Sequence, residues 1–378
     1  MREDFPQLQT GIRYFDNAVT SLKPLSVIEA TDNFYRTQNA NSRRGLYKLS
    51  AEVDQKIEAA RAKIANYLGT NPDEIIFTHG ATEGLNILAN GLCDQLGEND
   101  EIIVTRLEHH SNLLPWRQHC KHVKILECGR NGNLADISDM ITPRTKILAI
   151  SAESNVLGEI SNFEETIRKA KAAGLTVVVD AAQAIAHRKL SLENIDFLAF
   201  SGHKMYGPMG VGVLRGKREL LQKLPPLFYG GEMVDEVHDG SLELAAPPFR
   251  FEAGTQNLAG IIGLEKAFDY LTPENFKKEQ KLATLLREEL AKIPEVELYG
   301  QSGTIVSFNI IDVHPHDVAT ILDCENFAIR AGYHCAQPLL EKLKIGPCCR
   351  ASLSFYNNES EIEDFIKLTK TIRTRMGL

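Results

Sequence analysis

The chain has 378 residues, with 42 Lys and Arg against 50 Asp and Glu, so its formal charge is −8. Hydrophobic residues make up 43% and charged residues 24%, which excludes wholesale disorder and predicts a large core in roughly two or three domains' worth of chain. The acidic balance disfavours nucleic acid as a partner, since phosphate-backbone binding needs a basic footprint. MREDFPQLQ has no apolar signal region, and no apolar run approaches the ~18–20 residues that span a bilayer. Seven cysteines, an odd count, do not read as a disulfide framework; free thiols in a reducing, cytoplasmic setting fit better.

In chain order, Val53, Ile57, Ala60, Ile64 and Tyr67 recur at spacings of four, three, four and three, which predicts an amphipathic helix over 49–68. Then come EIIFT ending at Thr78, a helix from about 82, EIIVT (101–105), a helix through 112–122 and VKILE (123–127). KILAI (146–150), a helix near 163–173, LTVVVD (175–180), DFLAF (196–200) and VGVLRG (211–216) follow. Short apolar strands alternating with helices predict an α/β fold whose parallel-rich sheet is covered on both faces. After about residue 270 the texture changes. A charged helix over 274–292 is followed by VELYG, TIVSFNI, a helix at 316–324, FAIRAG, CRASLSF and a last helix near 360–373. Asn358 and Glu361 stand in capping-box spacing at its start. This part reads as a smaller α+β domain. The expected division is 17–270 for the large domain, with 1–16 and 271–378 forming the small one.

Ligands of open parallel sheets bind beyond the carboxyl ends of the strands. The segments there are polar: HGATEG (79–84), EHHSN (108–112), SAESN (151–155), DAAQ (180–183) and SGHK (201–204). Gly80 opens a turn into a helix, whose first N–H groups attract an anion such as phosphate. Alone, the segment reads first as an ordinary strand–helix turn, and it lacks the Gly-Lys-Ser/Thr of a P-loop. Asp180 ends a buried strand; it is either a helix cap or a carboxylate facing a protonated ring nitrogen. Lys204, beside His203 in a Gly-bounded loop 24 residues later, has a specific use on the same rim: a Schiff base with a carbonyl cofactor. Gly207, Gly210 and Gly212 precede a strand rather than open a helix, so they are not a dinucleotide fingerprint.

Ordered blocks along essentially the whole chain carry a family resemblance. They are YFDNAVTSLKP (14–24), RRGLYKLS (43–50), THGATEGLN (78–86), LEHHSNLLPW (107–116), SNVLG (154–158), VVVDAAQA (177–184), FSGHKMYGP (200–208), FRFEAGTQN (249–257), IRAGYHCAQPLL (329–340) and CRASLSFYN (349–357). The chain resembles the SUF-type (group II) cysteine desulfurases, of the class V aminotransferase group of fold-type I pyridoxal phosphate enzymes. The resemblance implies that Lys204 carries the cofactor, Asp180 pairs with its ring nitrogen, Gln183 and Asn155 bind beside the ring hydroxyl, and His109 stacks on the ring. It implies phosphate contacts from Thr82, Ser201 and His203, with Thr255 reaching the phosphate of a second subunit in a homodimer. Arg350 would clamp the substrate carboxylate, with Arg330 and Arg44 at the entrance. Lys204, freed by L-cysteine, would take the Cα proton, and the Cys335 thiolate would accept sulfur as a persulfide, leaving L-alanine. The sulfur would pass to an acceptor protein or small thiol for iron–sulfur cluster assembly.

From its neighbours alone, Cys335 is either a buried structural thiol or a reactive one; His334 and Arg330 nearby favour the thiolate. Cys93, Cys120, Cys128, Cys324, Cys348 and Cys349 read as packing residues, and no paired ligand spacing predicts a metal. His314 and His316 read as a solvated turn, and His110, His119 and His122 lack a metal-binding context. Two departures from the family stand out. Tyr333 precedes the His-Cys pair where His or Gln is common, and Arg43-Arg44-Gly45-Leu46-Tyr47 replaces a His-Arg-Gly segment with a further His. The alternatives are a selenocysteine lyase, a cysteine sulfinate desulfinase or another C–S lyase, which would not need Cys335. More distant is a non-catalytic sulfur-relay scaffold.

Overall fold

The computed structural model describes residues 2–43 and 45–378. Seven strands form the main sheet: β1 (Ile75–Thr78), β2 (Glu101–Thr105), β3 (Val123–Leu126), β4 (Thr145–Ser151), β5 (Thr176–Asp180), β6 (Phe197–Ser201) and β7 (Gly212–Gly216). Their order is β1-β7-β6-β5-β4-β2-β3, and β7 alone runs against the others. Because side chains alternate across a strand, successive residues feed opposite faces. Ile103, Leu148, Val177, Val179 and Phe200 pack on one face, beneath α1 (Lys48–Leu68) and α3 (Phe163–Ala172). Ile102, Val104, Val178 and Ala199 pack on the other, beneath Leu85 and Leu88 of α2 (Ala81–Cys93) and Trp116. Both faces are covered, so the inner strands can be apolar throughout.

A second, antiparallel sheet has the order β8-β9-β11-β10, from β8 (Val296–Tyr299), β9 (Ile305–Ile310), β10 (Arg330–Gly332) and β11 (Cys348–Ser352). Its core gathers Phe15, Val306 and Phe308 with Leu282 and Leu286 of α4 (Pro273–Leu290) and Ile362 and Phe365 of α5 (Glu359–Thr369). The Asn358–Glu361 capping box forms at the start of α5. No helix among the described residues is long and apolar enough to cross a membrane.

Two elements differ from expectation. The helix expected over 112–122 is only Leu114–His119. Pro115 is tolerated only in a first helical turn, Asn112 sits in a preceding tight turn, and Cys120 is already extended toward β3. FAIRAG breaks into two strands: Phe327–Ala328 pairs in parallel with Arg13–Tyr14, whereas Arg330–Gly332 pairs with β11. A hairpin of Val234–His238 and Ser241–Leu244 projects from the surface, turning at Asp239-Gly240.

Candidate active site

The main sheet places five strand ends on one rim, and the cavity of about 240 Å³ there is lined from all five loops. Thr82, His109, Asn155, Asp180, Gln183, Ser201, His203 and Lys204 line it from the rim; Arg330, His334, Cys335 and Arg350 line it from the second sheet. Thr255 is not among them. It lies beside a separate cavity with Arg43, Phe249 and Glu252. Arg44 lies outside the described residues.

The rim is held by hydrogen bonds between loops. Ser201 Oγ accepts the Ala81 N–H at 2.9 Å, docking the start of α2 onto the end of β6. A Cβ at Gly212 would lie 2.5 Å from Gly80 Cα, so only glycine lets β7 pass under that turn. Thr82 Oγ1 and Ser111 Oγ share a 2.8 Å hydrogen bond. Glu108, fully buried, accepts from Thr105 Oγ1 (2.5 Å), Asn112 Nδ2 (2.6 Å), and the Ser151 N–H (2.9 Å) and hydroxyl (2.6 Å). It thereby locks the His109 loop to the end of β4, and burial pushes its carboxyl up to about 7 against those donors. Gln183 Nε2 donates to Ala18 O at 2.8 Å.

The second sheet delivers its residues on paired strands and one tight turn. Arg330 and Arg350 face each other in the β10–β11 register. Arg350 is 2% exposed; its Nη1 donates to Asn155 O at 2.8 Å and its Nη2 reaches Asp16 at 3.4 Å. His334 and Cys335 both have positive φ, 51° and 55°, on the link between β10 and the helix at Gln337–Leu343. That strained pair is tied down on each side. Asn155 Nδ2 donates to His334 O at 2.6 Å, His334 Nε2 to Cys348 O at 2.9 Å, and the His110 N–H to Cys335 O at 3.0 Å.

The charges are tuned by burial. Burial pushes the Lys204 amine below its ordinary value; Arg350 and Arg330 add to this, and Asp180 and Cys335 oppose it. Burial raises Asp180, opposed by the Ala182 N–H and Lys204. Burial, Lys204 and nearby cations lower His109 to about 3, so its ring is neutral at pH 7. Burial likewise pushes the thiols of Cys93 and Cys348 up to about 12 and Cys128 to about 11, and raises Cys349, which makes all four poor nucleophiles.

The residues fit pyridoxal phosphate. A lysine of lowered basicity and a buried carboxylate share the cavity with the start of a 13-residue helix, where backbone N–H groups suit a phosphate. Four buried polar atoms of residues lining it have no partner among the described residues: Glu153 Oε1, Asn155 Oδ1, His334 Nδ1 and Arg350 Nε. Buried polar groups normally find partners, so these atoms mark places for polar groups of a ligand. Asp16, Ala18 and Glu153 also lie at the site but were not expected there. Only contacts across more than a hundred residues bring Asp16 and Ala18 in, and no local pattern signals those.

The class-V aminotransferase family model matches residues 13–365. The probable cysteine desulfurase of Xylella fastidiosa (strain Temecula1) is 41% identical, over 100% of this chain and 96% of its own length. The cysteine desulfurase of Cronobacter sakazakii is 39% identical, over 97% of this chain and 96% of its own. Among solved structures, the apo cysteine desulfurase of Thermococcus onnurineus NA1 superposes with a TM-score of 0.95 at 38% identity, over 100% of this chain and 98% of that one. The cysteine desulfurase CsdA of Escherichia coli, in an S-sulfonic acid form, gives 0.92 at 38%, over 99% and 97%.

Proposed function

The chain belongs to the class-V aminotransferase family, and from that premise we propose a residue-level account of its reaction. It is a pyridoxal phosphate-dependent cysteine desulfurase of fold type I, acting on L-cysteine. The observation that carries the account is the meeting of Lys204, Asp180, Arg350 and Cys335 on one cavity from two different sheets. When bound, pyridoxal phosphate supplies a carbonyl for the amine and an electron sink for the bonds at Cα.

Lys204 would hold the cofactor through Nζ, and the same Nζ would take the substrate's Cα proton. Burial lowers the basicity of that amine, which favours the unprotonated form able to take a proton. Asp180 would pair with the ring nitrogen; its own buried negative charge is costly unless paired. Arg350 receives the substrate carboxylate; its unpartnered Nε and its rigid planar fork suit that contact. His109, neutral, covers the ring without adding a cation to it. The Cys335 thiolate then attacks the substrate sulfur. An S–S bond would form as the Cβ–S bond breaks with its electron pair going to Cβ; a proton at Cβ, and return of the Lys204 proton to Cα, would give L-alanine and a persulfide on Cys335.

The persulfide sulfur leaves to a thiol of an acceptor protein or a small molecule, with iron–sulfur cluster assembly as the destination and the cytoplasm as the setting. A homodimer is supported by the exposed Phe228 and Tyr229. They border a second cavity, of about 880 Å³, that shares Thr82, Ser201 and His203 with the first. The test is alanine formation from L-cysteine by wild type and Cys335→Ala side by side. The account requires the variant to fall to below about 1% of wild-type turnover, as loss of a nucleophile does. Full activity in the variant would remove Cys335 from the reaction.

A further inference from the structure

Glu279 of α4, with 0% exposure, is not among the residues lining the cavity. It touches none of the residues assigned to cofactor or substrate. Its Oε1 accepts from Tyr206 Oη at 2.6 Å, from Ser354 Oγ at 3.1 Å and from the Phe355 N–H at 3.1 Å. Its Oε2 lies 3.0 Å from His187 Nδ1. Tyr206 is two residues beyond Lys204, and Ser354 is four beyond Arg350. We propose that Glu279 is a positioning residue for the reaction: one buried carboxylate that fixes the Lys204 turn against the segment carrying Arg350.

The turn needs such an anchor. Tyr206 has φ of 71°, a conformation that a bulky residue keeps only where its surroundings over-determine it. The front of the turn is clamped by the N-terminal segment. His203 O accepts from the Ser21 N–H (3.0 Å), Thr20 Oγ1 (3.0 Å) and Lys23 Nζ (2.8 Å), while Ser21 Oγ accepts the Tyr206 N–H (2.6 Å). The back of the turn reaches the second sheet through the Tyr206 hydroxyl, which also lies 3.1 Å from Ser354 Oγ. The Tyr206 ring itself packs among Phe5, Tyr270, Phe355 and Tyr356. The hydroxyl is thus the directional part of an otherwise greasy contact.

A buried carboxylate is a poor way to add stability, because its desolvation must be offset by every partner; a role in fixing geometry explains its use better. His187 faces it through Nδ1. Burial opposes its protonation, but Glu279 and Glu153 overcome this and raise it above the ordinary histidine value. The arrangement predicts two separable effects. Lys204 handles the proton, so loosening its turn should act on kcat. Arg350 handles the substrate carboxylate, so loosening its segment should act on KM.

This inference rests on Lys204 and Arg350 having the roles given above. The experiment compares Tyr206→Phe, Ser354→Ala and Glu279→Gln in the holoenzyme, with amide hydrogen exchange of residues 202–208 followed in both holo and cofactor-free protein. Tyr206→Phe should lower kcat about tenfold with KM held, since small misplacements of a reacting group carry penalties of this order, and should speed exchange in 202–208. Ser354→Ala should raise KM severalfold with kcat held, and Glu279→Gln should do both. Wild-type exchange and kinetic constants in all three, or a lowered melting temperature with no such split, would overturn the proposal by making Glu279 merely structural. Lys204→Ala serves as the control. If it retained a protein-linked cofactor chromophore, the reading of Lys204 itself would fall, a result distinguishable from unchanged Tyr206→Phe kinetics.

Discussion

The rim of the seven-stranded sheet and the edge of the four-stranded sheet meet at one cavity but hold their side chains by different means. On the rim, each functional residue follows the end of one of the six strands that run the same way, so topology alone gathers His109, Asn155, Asp180 and Lys204. On the antiparallel edge no such gathering occurs. Arg330 and Arg350 are brought together by cross-strand register, and Cys335 sits on a turn with two consecutive left-handed residues tied by hydrogen bonds to the opposite half. The rim is thus suited to a group that stays bound, and the edge to a substrate that comes and goes.

The sharpest way to break this comparison is to remove the central residue of each half and ask whether the effects separate. Lys204→Ala should lose the covalently linked chromophore and at least about 10³-fold in turnover, the range for deleting a positioned acid–base group. Absorption spectra after denaturing gel filtration and alanine assays check both. Arg350→Ala should leave the chromophore intact and raise KM for cysteine about 10–100-fold, the value of a charged hydrogen-bonded contact. A saturation curve for cysteine measures this. An altered cofactor spectrum in Arg350→Ala, with KM unchanged, would mean that the two halves do not divide the labour in this way.

The same division explains what could be read from sequence. The rim was legible because each strand is an uninterrupted apolar run and each polar segment follows directly, as in VVVDAAQ and FSGHK. The second sheet was legible as strands, but not as a site. That Arg330 would face Arg350 depends on register, and the split of FAIRAG at Ile329 depends on two different partner strands. The Asp16–Arg350 and Tyr206–Glu279 contacts join residues 334 and 73 positions apart, which periodicity does not reach. The surface hairpin is a different kind of miss. VDEVHDGSLEL carries alternation and an Asp-Gly turn, a local signal sufficient to find it.

Acid stability separates the halves more finely, because three histidines line the cavity and all are held neutral. Burial is the first cause in each case. It lowers His109 and His334 to about 3 and His203 to about 4, with nearby cations adding to it. In the unfolded chain a histidine titrates near 6.5. Between that value and about 4 the unfolded chain therefore binds protons that the folded protein refuses, so stability falls as pH falls through this window. His187 works in the opposite sense. Its folded value is raised, so its contribution is present below about 6.5 and is lost as pH rises through the folded value. From pH 7 to 5 each of the three cavity histidines should cost about 1–2 kcal/mol, with the half-buried His109 and His203 toward the lower figure. Urea unfolding of the cofactor-free protein at the two pH values measures this sum net of the opposite contributions of His187 and Glu108, whose folded values are raised. His334→Gln can keep the donor to Cys348 O while removing one titrating group, so it should recover about half of the histidine loss. A His334→Gln midpoint with the same pH dependence as wild type would mean that the His334 ring takes up its proton in the folded state.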